Sequence, residues 1–313
     1  MSAIPSIRFD RLQTAATQAE LADACSRWGF FQLTHHGVNA NEQQGLLAAM
    51  RAFFDLPLPR KRAIARTAAN PWGFYDQELT KNTPDWKQIF DVGDPEPDGP
   101  LAGCEPQWPV ELPAFRPAMD AHRAHCERLS KGLLVAIAES LGVAGDRLAA
   151  AFEPSHTSFL RLNYYPLCAA PEAPASIAVP MQGHLGINHH TDAGALTVLM
   201  QDSVNALQVF NDGRWHTIEP DPGAFVINIG DVVQVWSNDR YTAPLHRVLA
   251  NAKQERYSAA YFYNPAAAAH YAPLRELGEP RYRPIAWGEF RTARAAGDYA
   301  DSGEEIQIAH FAR

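Results

Sequence analysis

Residues Asn188 to Asp202 read NHHTDAGALTVLMQD: two adjacent histidines, an aspartate two positions after the second, then an apolar run of strand composition. In a strand, positions i and i+2 face the same side. His190 and Asp192 at a strand edge would therefore aim together, with Thr191 turned away. An imidazole and a carboxylate side by side supply two neighbouring corners of an octahedral metal site. A second, distant histidine would complete the facial 2-His-1-carboxylate set and leave positions open for oxygen and an organic co-substrate. His189 faces the opposite way and is not expected to ligate. The pair alone is weak evidence, because chance supplies about one His-x-Asp in a chain of this composition. His125 and Glu127 form a similar pair, but within a helical pattern, where positions two apart diverge.

The surrounding chain is that of an ordinary globular protein, with 313 residues, 46% hydrophobic and 20% charged. A formal charge of -8 argues against a nucleic-acid partner, which needs a basic face. The start, MSAIPSIRFDRLQ, lacks the basic and apolar regions of a secretory signal. No apolar stretch reaches the roughly 18 residues of a membrane span. Cys25, Cys104, Cys126 and Cys168 are scattered without CxxC spacing, so reduced thiols and a cytoplasmic location are expected.

Helical spacing is expected in AELADACSRW and NEQQGLLAAMRAFFDLP, with the strand GFFQLTHHGV between them. Residues 57–113 are rich in Pro, Gly and Trp and read as irregular connection. Phe115, Met119, His122, Cys126, Leu129, Leu133, Ile137 and Leu141 then recur at three- and four-residue steps, predicting a long spine helix stopped by Gly142. Beyond residue 155 the pattern becomes short strands separated by turns: TSFLRLNYYP, GALTVLMQD, ALQVF, RWHTIEP, GAFVINIG, VVQVWS, LHRVLAN and ERYSAAYFYN. The expected fold is mainly β with α. It has a jelly-roll or cupin-like core, an N-terminal helical subdomain and the spine helix. The expected regions are 1–113 (mixed α/β with pocket-covering loops), 114–154 (spine), 155–283 (β core) and 284–313 (helix and tail), together one unit.

Two downstream and upstream features give His190 and Asp192 their context. His246 lies in LHRV, about ten residues before RYS, a separation that lets a hairpin set the two strands side by side. Arg256 and Ser258 then share a face and suit a carboxylate. In RLNYYP, Arg161, Asn163 and Tyr165 alternate with Leu162 and Tyr164, as expected for a face turned to a wet cavity.

His190-Thr191-Asp192 with LTVL behind it, LHRV, Arg256-x-Ser258, NYYP, GFFQLTHHG and NIGD…WSND together resemble the isopenicillin N synthase family of non-haem iron oxygenases, from about Ile4 to the C-terminus. The resemblance implies a double-stranded β-helix core. It implies Fe(II) at His190, Asp192 and His246, and 2-oxoglutarate and O2 as co-substrates, with ascorbate as a candidate reductant. Arg256 and Ser258 would hold the distal carboxylate of 2-oxoglutarate, with Tyr165 adding a hydrogen bond and Asn163 near its chelating end. Arg161, Phe262 and Asn264 match substrate-facing positions, and Arg161 is a candidate partner for a substrate carboxylate. In NPWGFYDQELTKNTPDWKQIF, Trp72, Phe74 and Tyr75 are further candidates for substrate contact. His184, His35 and His36 are expected to be structural.

The implied reaction is hydroxylation, desaturation or cyclisation of a small molecule, with release of succinate and CO2. Neither a nucleic-acid nor a membrane partner is expected, and the oligomeric state and the substrate cannot be read from the sequence. Two alternatives are an oxidase with the same metal triad but no 2-oxoglutarate, and a catalytically silent ligand-binding β-helix protein. The Arg-x-Ser motif does not separate the first of these, since such members use it for another carboxylate.

Overall fold

Alternation of apolar and polar residues in the second half of the chain becomes two facing sheets. The computed structural model describes residues 4–67, 69–95, 102–175, 182–301 and 303–313. In chain order its elements are β1 (Ser6–Arg8), α1 (Ala15–Arg27), β2 (Phe30–Thr34), α2 (Ala40–Phe54), α3 (Leu58–Arg62), β3 (Gly73–Tyr75), β4 (Leu79–Thr80), β5 (Thr83–Pro84) and β6 (Gln88–Gly93). There follow α4 (Phe115–Ser140), β7 (Phe159–Tyr165), β8 (Leu185–His190), β9 (Leu196–Gln201), β10 (Leu207–Asn211), β11 (Arg214–Thr217) and β12 (Phe225–Ile229). The last are α5 (Asp231–Trp236), β13 (His246–Leu249), β14 (Arg256–Tyr263), β15 (His270–Tyr271), β16 (Ile285–Ala286) and α6 (Trp287–Ala296).

The helices start and stop where local chemistry dictates. Thr14 caps α1 by accepting from the Thr17 amide. Asn39 and Glu42 form a reciprocal capping box on α2. The spine α4 buries Phe115, Met119, His122, Cys126, Leu129, Leu133 and Ile137 along one stripe. It ends at Gly142, whose φ of 80° is reached at little cost only without a Cβ.

The larger sheet has the order β1-β2-β12-β9-β14-β7-β6-β3 and the smaller one β11-β10-β13-β8. All pairings within them are antiparallel except β1 with β2. The helices α1, α2 and α4 cover the outer face of the larger sheet, and one continuous apolar core lies between them. A smaller apolar cluster, including Phe30, Tyr165, Leu207, Val226 and Val248, lies between the two sheets. This is the double-stranded β-helix arrangement expected, with a cavity between its sheets.

Two local expectations are corrected. The segment 57–113 is not merely irregular: β6 pairs along β7 and β3 pairs along β6, extending the larger sheet. Ile89, Phe90 and Val92 are fully buried there, but the Pro- and Trp-rich flanks mask the alternation. VVQVWS is the helix α5, not a strand. Val232, Val233, Val235 and Trp236 are all buried, and a short run buried on every side carries no period that separates helix from strand.

Candidate active site

Strand register brings the distant histidines together. His246 at the start of β13 lies opposite His190 at the end of β8. Asp192 sits just past the end of β8, in the turn to β9, so the shared aim of His190 and Asp192 is made by a turn rather than by one strand face. His190 Nε2 and His246 Nε2 lie 3.5 and 3.6 Å from Asp192 Oδ1. One ligand-type atom from each residue falls within 4.8 Å of the others, enough to hold a metal ion.

The remaining atoms of the three side chains are occupied in ways that fix these positions. His190 Nδ1 lies 2.9 Å from the Asn188 carbonyl, and His246 Nδ1 lies 3.1 Å from the Pro244 carbonyl. A carbonyl accepts only, so each Nδ1 carries a proton, which in a neutral ring leaves Nε2 as the atom with the lone pair. Asp192 Oδ2 accepts from Asn228 Nδ2 at 2.8 Å and from the Thr197 hydroxyl. That leaves Oδ1 facing the imidazoles. Burial disfavours the Asp192 carboxylate, but His246, His190 and Thr197 outweigh it and hold its pKa well below the usual range. Burial, with His190 nearby, pushes His246 down to about 4. Both groups are therefore unprotonated near neutral pH, as metal ligation requires.

Behind this cluster the strands β14 and β7 pair Arg256 with Tyr165 and Ser258 with Asn163. Arg256 is buried, donates to Gln201 Oε1 at 3.0 Å and Ser258 Oγ at 3.3 Å, and lies 5.0 Å over the Tyr165 ring. Its Nε and the Asn163 Oδ1 are buried without a hydrogen-bond partner, and no carboxylate pairs with Arg256 among the described residues. A buried guanidinium without a counter-charge is costly, and a bound carboxylate would relieve it. The adjoining walls are Phe30, Ile187, Leu199, Leu207 and Val248. A dicarboxylate fits this cradle, with one end at Arg256 and the other toward the His-Asp-His cluster.

The cavity, of about 510 Å³, continues past the cluster to a second end. Its aromatic walls are Trp72, Phe159, Phe262, Trp287 and Tyr299, and Asn264 and Arg161 also line it. Trp72, Phe262, Asn264 and Arg161 thus line the cavity. Phe74 does not: it is fully buried, 6.3 Å from Phe53, because its position in β3 turns it into the core. Tyr75 is also off the cavity wall, lying against the Arg66 guanidinium and 5.4 Å from Tyr299. Arg161 is not free: its Nε and Nη2 donate to the two oxygens of Asp91 and its Nη1 to Glu78. His189 leans on the Asn188 side chain, and His184 packs 4.7 Å from Trp86.

Sequence reasoning misses the groups that hold the cluster and the ones that neutralise Arg161. Asn228 lies in the quoted NIGD, but nothing in the sequence aims it at Asp192. Arg294 of α6 is another: it donates to the Thr191 carbonyl at 2.9 Å, between the two ligand positions.

A double-stranded β-helix with a His-Asp-His cluster between the two ends of its cavity defines a non-haem metal oxygenase scaffold. Comparison with known proteins agrees. Residues 156–265 match the family model of the 2OG-Fe(II) oxygenase superfamily, and residues 4–113 match the non-haem dioxygenase N-terminal region named for morphine synthesis. Jasmonate-induced oxygenase 2 of Arabidopsis thaliana is 31% identical over 306 residues, covering 93% of this chain and 77% of the relative. Gibberellin 2-beta-dioxygenase 6 of Oryza sativa subsp. japonica is 33% identical over 322 residues, covering 98% and 84%. Among solved structures, JOX2 in complex with 2OG, Fe and JA superposes with a TM-score of 0.83 at 28% identity, covering 99% of this chain and 89% of that one. A full-length Neurospora crassa protein solved in complex with alpha-KG and thymine gives 0.80 at 25%, covering 94% and 96%. The chain belongs to the 2-oxoglutarate- and Fe(II)-dependent oxygenase superfamily. It is an oxidoreductase whose cofactors are Fe(II), 2-oxoglutarate and O2.

Proposed function

We propose that His190, Asp192 and His246 hold Fe(II), that Arg256 and Ser258 bind the distal carboxylate of 2-oxoglutarate, and that a small molecule is oxidised in the aromatic end of the cavity. The observation that carries this reading is the convergence of two imidazole Nε2 atoms and one carboxylate oxygen beside a buried guanidinium without a counter-ion among the described residues. Bound together, the metal, 2-oxoglutarate and O2 supply the oxidising power, converting the co-substrate to succinate and CO2.

The chain's own residues bind, orient and exclude water. Asn228 and Thr197 fix the Asp192 carboxylate, while the Asn188 and Pro244 carbonyls fix the imidazole tautomers. Tyr165 presents its ring under the Arg256 guanidinium, and the Asn163 side-chain amide lines the cavity, where its N–H group would donate to the chelating end. Trp72, Phe159, Phe262, Asn264 and Trp287 line the space for substrate. The outcome, hydroxylation or desaturation or ring closure, follows from which substrate C–H bond this wall sets against the metal. A cytoplasmic location is part of the reading: all four cysteines are free, and among the described residues no helix is long and apolar enough to cross a membrane.

The test uses anaerobic metal and co-substrate titrations. His190→Ala is expected to abolish stoichiometric Fe(II) binding. Arg256→Ala is expected to keep the metal and lose 2-oxoglutarate affinity, by roughly 2–5 kcal/mol for truncating one partner of a buried charged pair. Unchanged 2-oxoglutarate affinity in Arg256→Ala would place the carboxylate elsewhere.

A further inference from the structure

The substrate end of the cavity carries an ionic network whose arrangement bears on which substrates it admits. Arg66 and Arg161 each bridge Glu78 and Asp91: Arg66 at 2.9 and 2.8 Å, and Arg161 at 2.9 and 2.8 Å. The four side chains close into a ring of alternating charge. Lys87 joins it through Glu78 at 2.5 Å and Asp85 at 3.1 Å. Arg66, Glu78, Lys87 and Asp91 are almost wholly buried, so the ring is neutralised within the protein.

Asp298 stands outside this closed set. It follows α6, and its backbone carbonyl accepts from the Leu79 amide at 3.1 Å, which fixes it on the cavity wall. Its carboxylate lies 3.8 Å from Arg66 and 4.0 Å from Arg161, beyond hydrogen-bond distance, and its side chain is 32% exposed. Counting Asp298, and Asp85 behind the wall, the network has four carboxyl groups (Glu78, Asp85, Asp91, Asp298) for three cations (Arg66, Lys87, Arg161). Of the other cations lining the cavity, Arg294 is spent on the Thr191 and Ile306 carbonyls and on Glu305. Arg291 is engaged by a neighbouring group, and Lys81 stands at the exposed mouth of the cavity, where the Glu305 charge acts on it. Burial and the Glu78 charge push the Asp298 carboxyl up to about 7, so it is the ionised acceptor only above that pH.

We propose that this end of the cavity selects neutral or cationic substrates that give a hydrogen bond to the Asp298 carboxylate, and that it disfavours substrates bearing a free carboxylate. The proposal rests on the reading of this cavity as the oxygenase substrate site. It reverses the expectation that Arg161 grips a substrate carboxylate: that guanidinium is held by Asp91 and Glu78, and the group left over in its network is the acceptor Asp298. The matching substrate is an aromatic or apolar body, held by Trp72, Phe159, Phe262 and Tyr299, with a hydroxyl, amide N–H or ammonium reaching Asp298.

Three probes of one scaffold test it: 3-phenylpropanol, 3-phenylpropylamine and 3-phenylpropanoate. Each is titrated calorimetrically, under nitrogen, at a pH of about 8.5, where Asp298 is ionised, into protein loaded with Mn(II) and 2-oxoglutarate. The amine and the alcohol are expected to bind at least about tenfold more tightly than the carboxylate, since like charges a few ångströms apart in a partly buried site repel by at least that factor. Asp298→Asn is expected to lose most of the preference for the amine and to admit the carboxylate, while the alcohol changes little. Asp298→Ala serves as the second variant, with unchanged thermal melting as the check on folding. A wild-type protein that prefers the carboxylate or binds none of the probes would overturn the proposal, as would a ranking unaltered by both substitutions. Failure of 2-oxoglutarate to bind in the loading step would instead sink the oxygenase-site reading, and this inference with it. Normal loading with the wrong ranking sinks the inference alone.

Discussion

Gly230→Ala isolates how the fold positions Asp192. Gly230 has φ -103°, a value open to any residue, so backbone strain is not at issue. A Cβ there would lie 2.1 Å from the Gly194 carbonyl oxygen and 2.9 Å from the Asp192 carbonyl oxygen, against the 3.4 Å of ordinary contact. The turn carrying Asp192 would have to retreat by about 1.3 Å. It has little room to do so, because Gly194 already packs against Asn264 so closely that its own Cβ would lie 2.0 Å from Asn264 Oδ1. The bonds at risk are Asp231 N–H to the Asp192 carbonyl, 2.8 Å, and Val232 N–H to the Gly194 carbonyl, 3.1 Å. Overpacking of this kind costs about 1–3 kcal/mol of stability. A metal site held to within about 0.5 Å does not survive a shift of roughly 1 Å without loss. The expected result is a melting point lowered by a few degrees, read by calorimetry of the metal-free protein. Mn(II) or Co(II) affinity should fall by roughly tenfold or more, read by titration. A variant that melts earlier yet binds metal with wild-type affinity would refute the reasoning, since the clash would then be absorbed without moving Asp192.

Two further outcomes follow from positions remote from the cavity. Gly45 is exposed within α2 and a Cβ there meets nothing within 4 Å, so Gly45→Ala should stabilise the protein by about 0.5–1 kcal/mol in chemical denaturation. His122 is buried in α4 beside Phe225, and burial, with His125, lowers its pKa from 6.5 to about 3. Because this folded pKa is depressed, the stability it contributes is complete above 6.5 and is lost as the pH falls from there toward 3. The slope is up to about 1.4 kcal/mol per pH unit. His122→Leu should flatten the stability-pH profile in that window. An unchanged profile would show that His122 is not what acid protonates.

The sequence discloses the metal cluster because its three residues lie on or beside strands whose pairing follows from alternation. His246 faces His190 for the same reason that Arg256 faces Tyr165. Even so, alternation assigns His190 and Asp192 to one strand face, whereas the turn after β8 aims them. That turn is held by the Gly230 backbone, Asn228 and Arg294, none within 30 residues of it. Phe74 escapes sequence reasoning because a three-residue strand gives no alternation from which to tell core from cavity. Arg161 is legible as part of the cavity wall but not in its occupation, because its neutralising partners, Glu78 and Asp91, come from a segment that reads as irregular.

The pairing of Arg161 bears on how the protein holds together. Asp91 of β6 is the register partner of Arg161 in β7, and Glu78 reaches the same guanidinium from the loop before β4. The ring of Arg66, Glu78, Asp91 and Arg161 therefore joins the N-terminal segment to the β core across the substrate end of the cavity. Removing one partner from a buried ion pair costs more than the pair contributes, because the other charge is left uncompensated. A core separated from residues 66–93 would bury Arg161 without a counter-ion and open the edge of β7 that β6 covers. The N-terminal segment is thus not an accessory to a self-sufficient barrel. It supplies an edge strand, the charges that silence Arg161 and, through Trp72, part of the wall against which substrate lies. Relatives that vary this segment would change their substrate wall and their charge balance together while leaving the metal cluster on β8 and β13 unaltered.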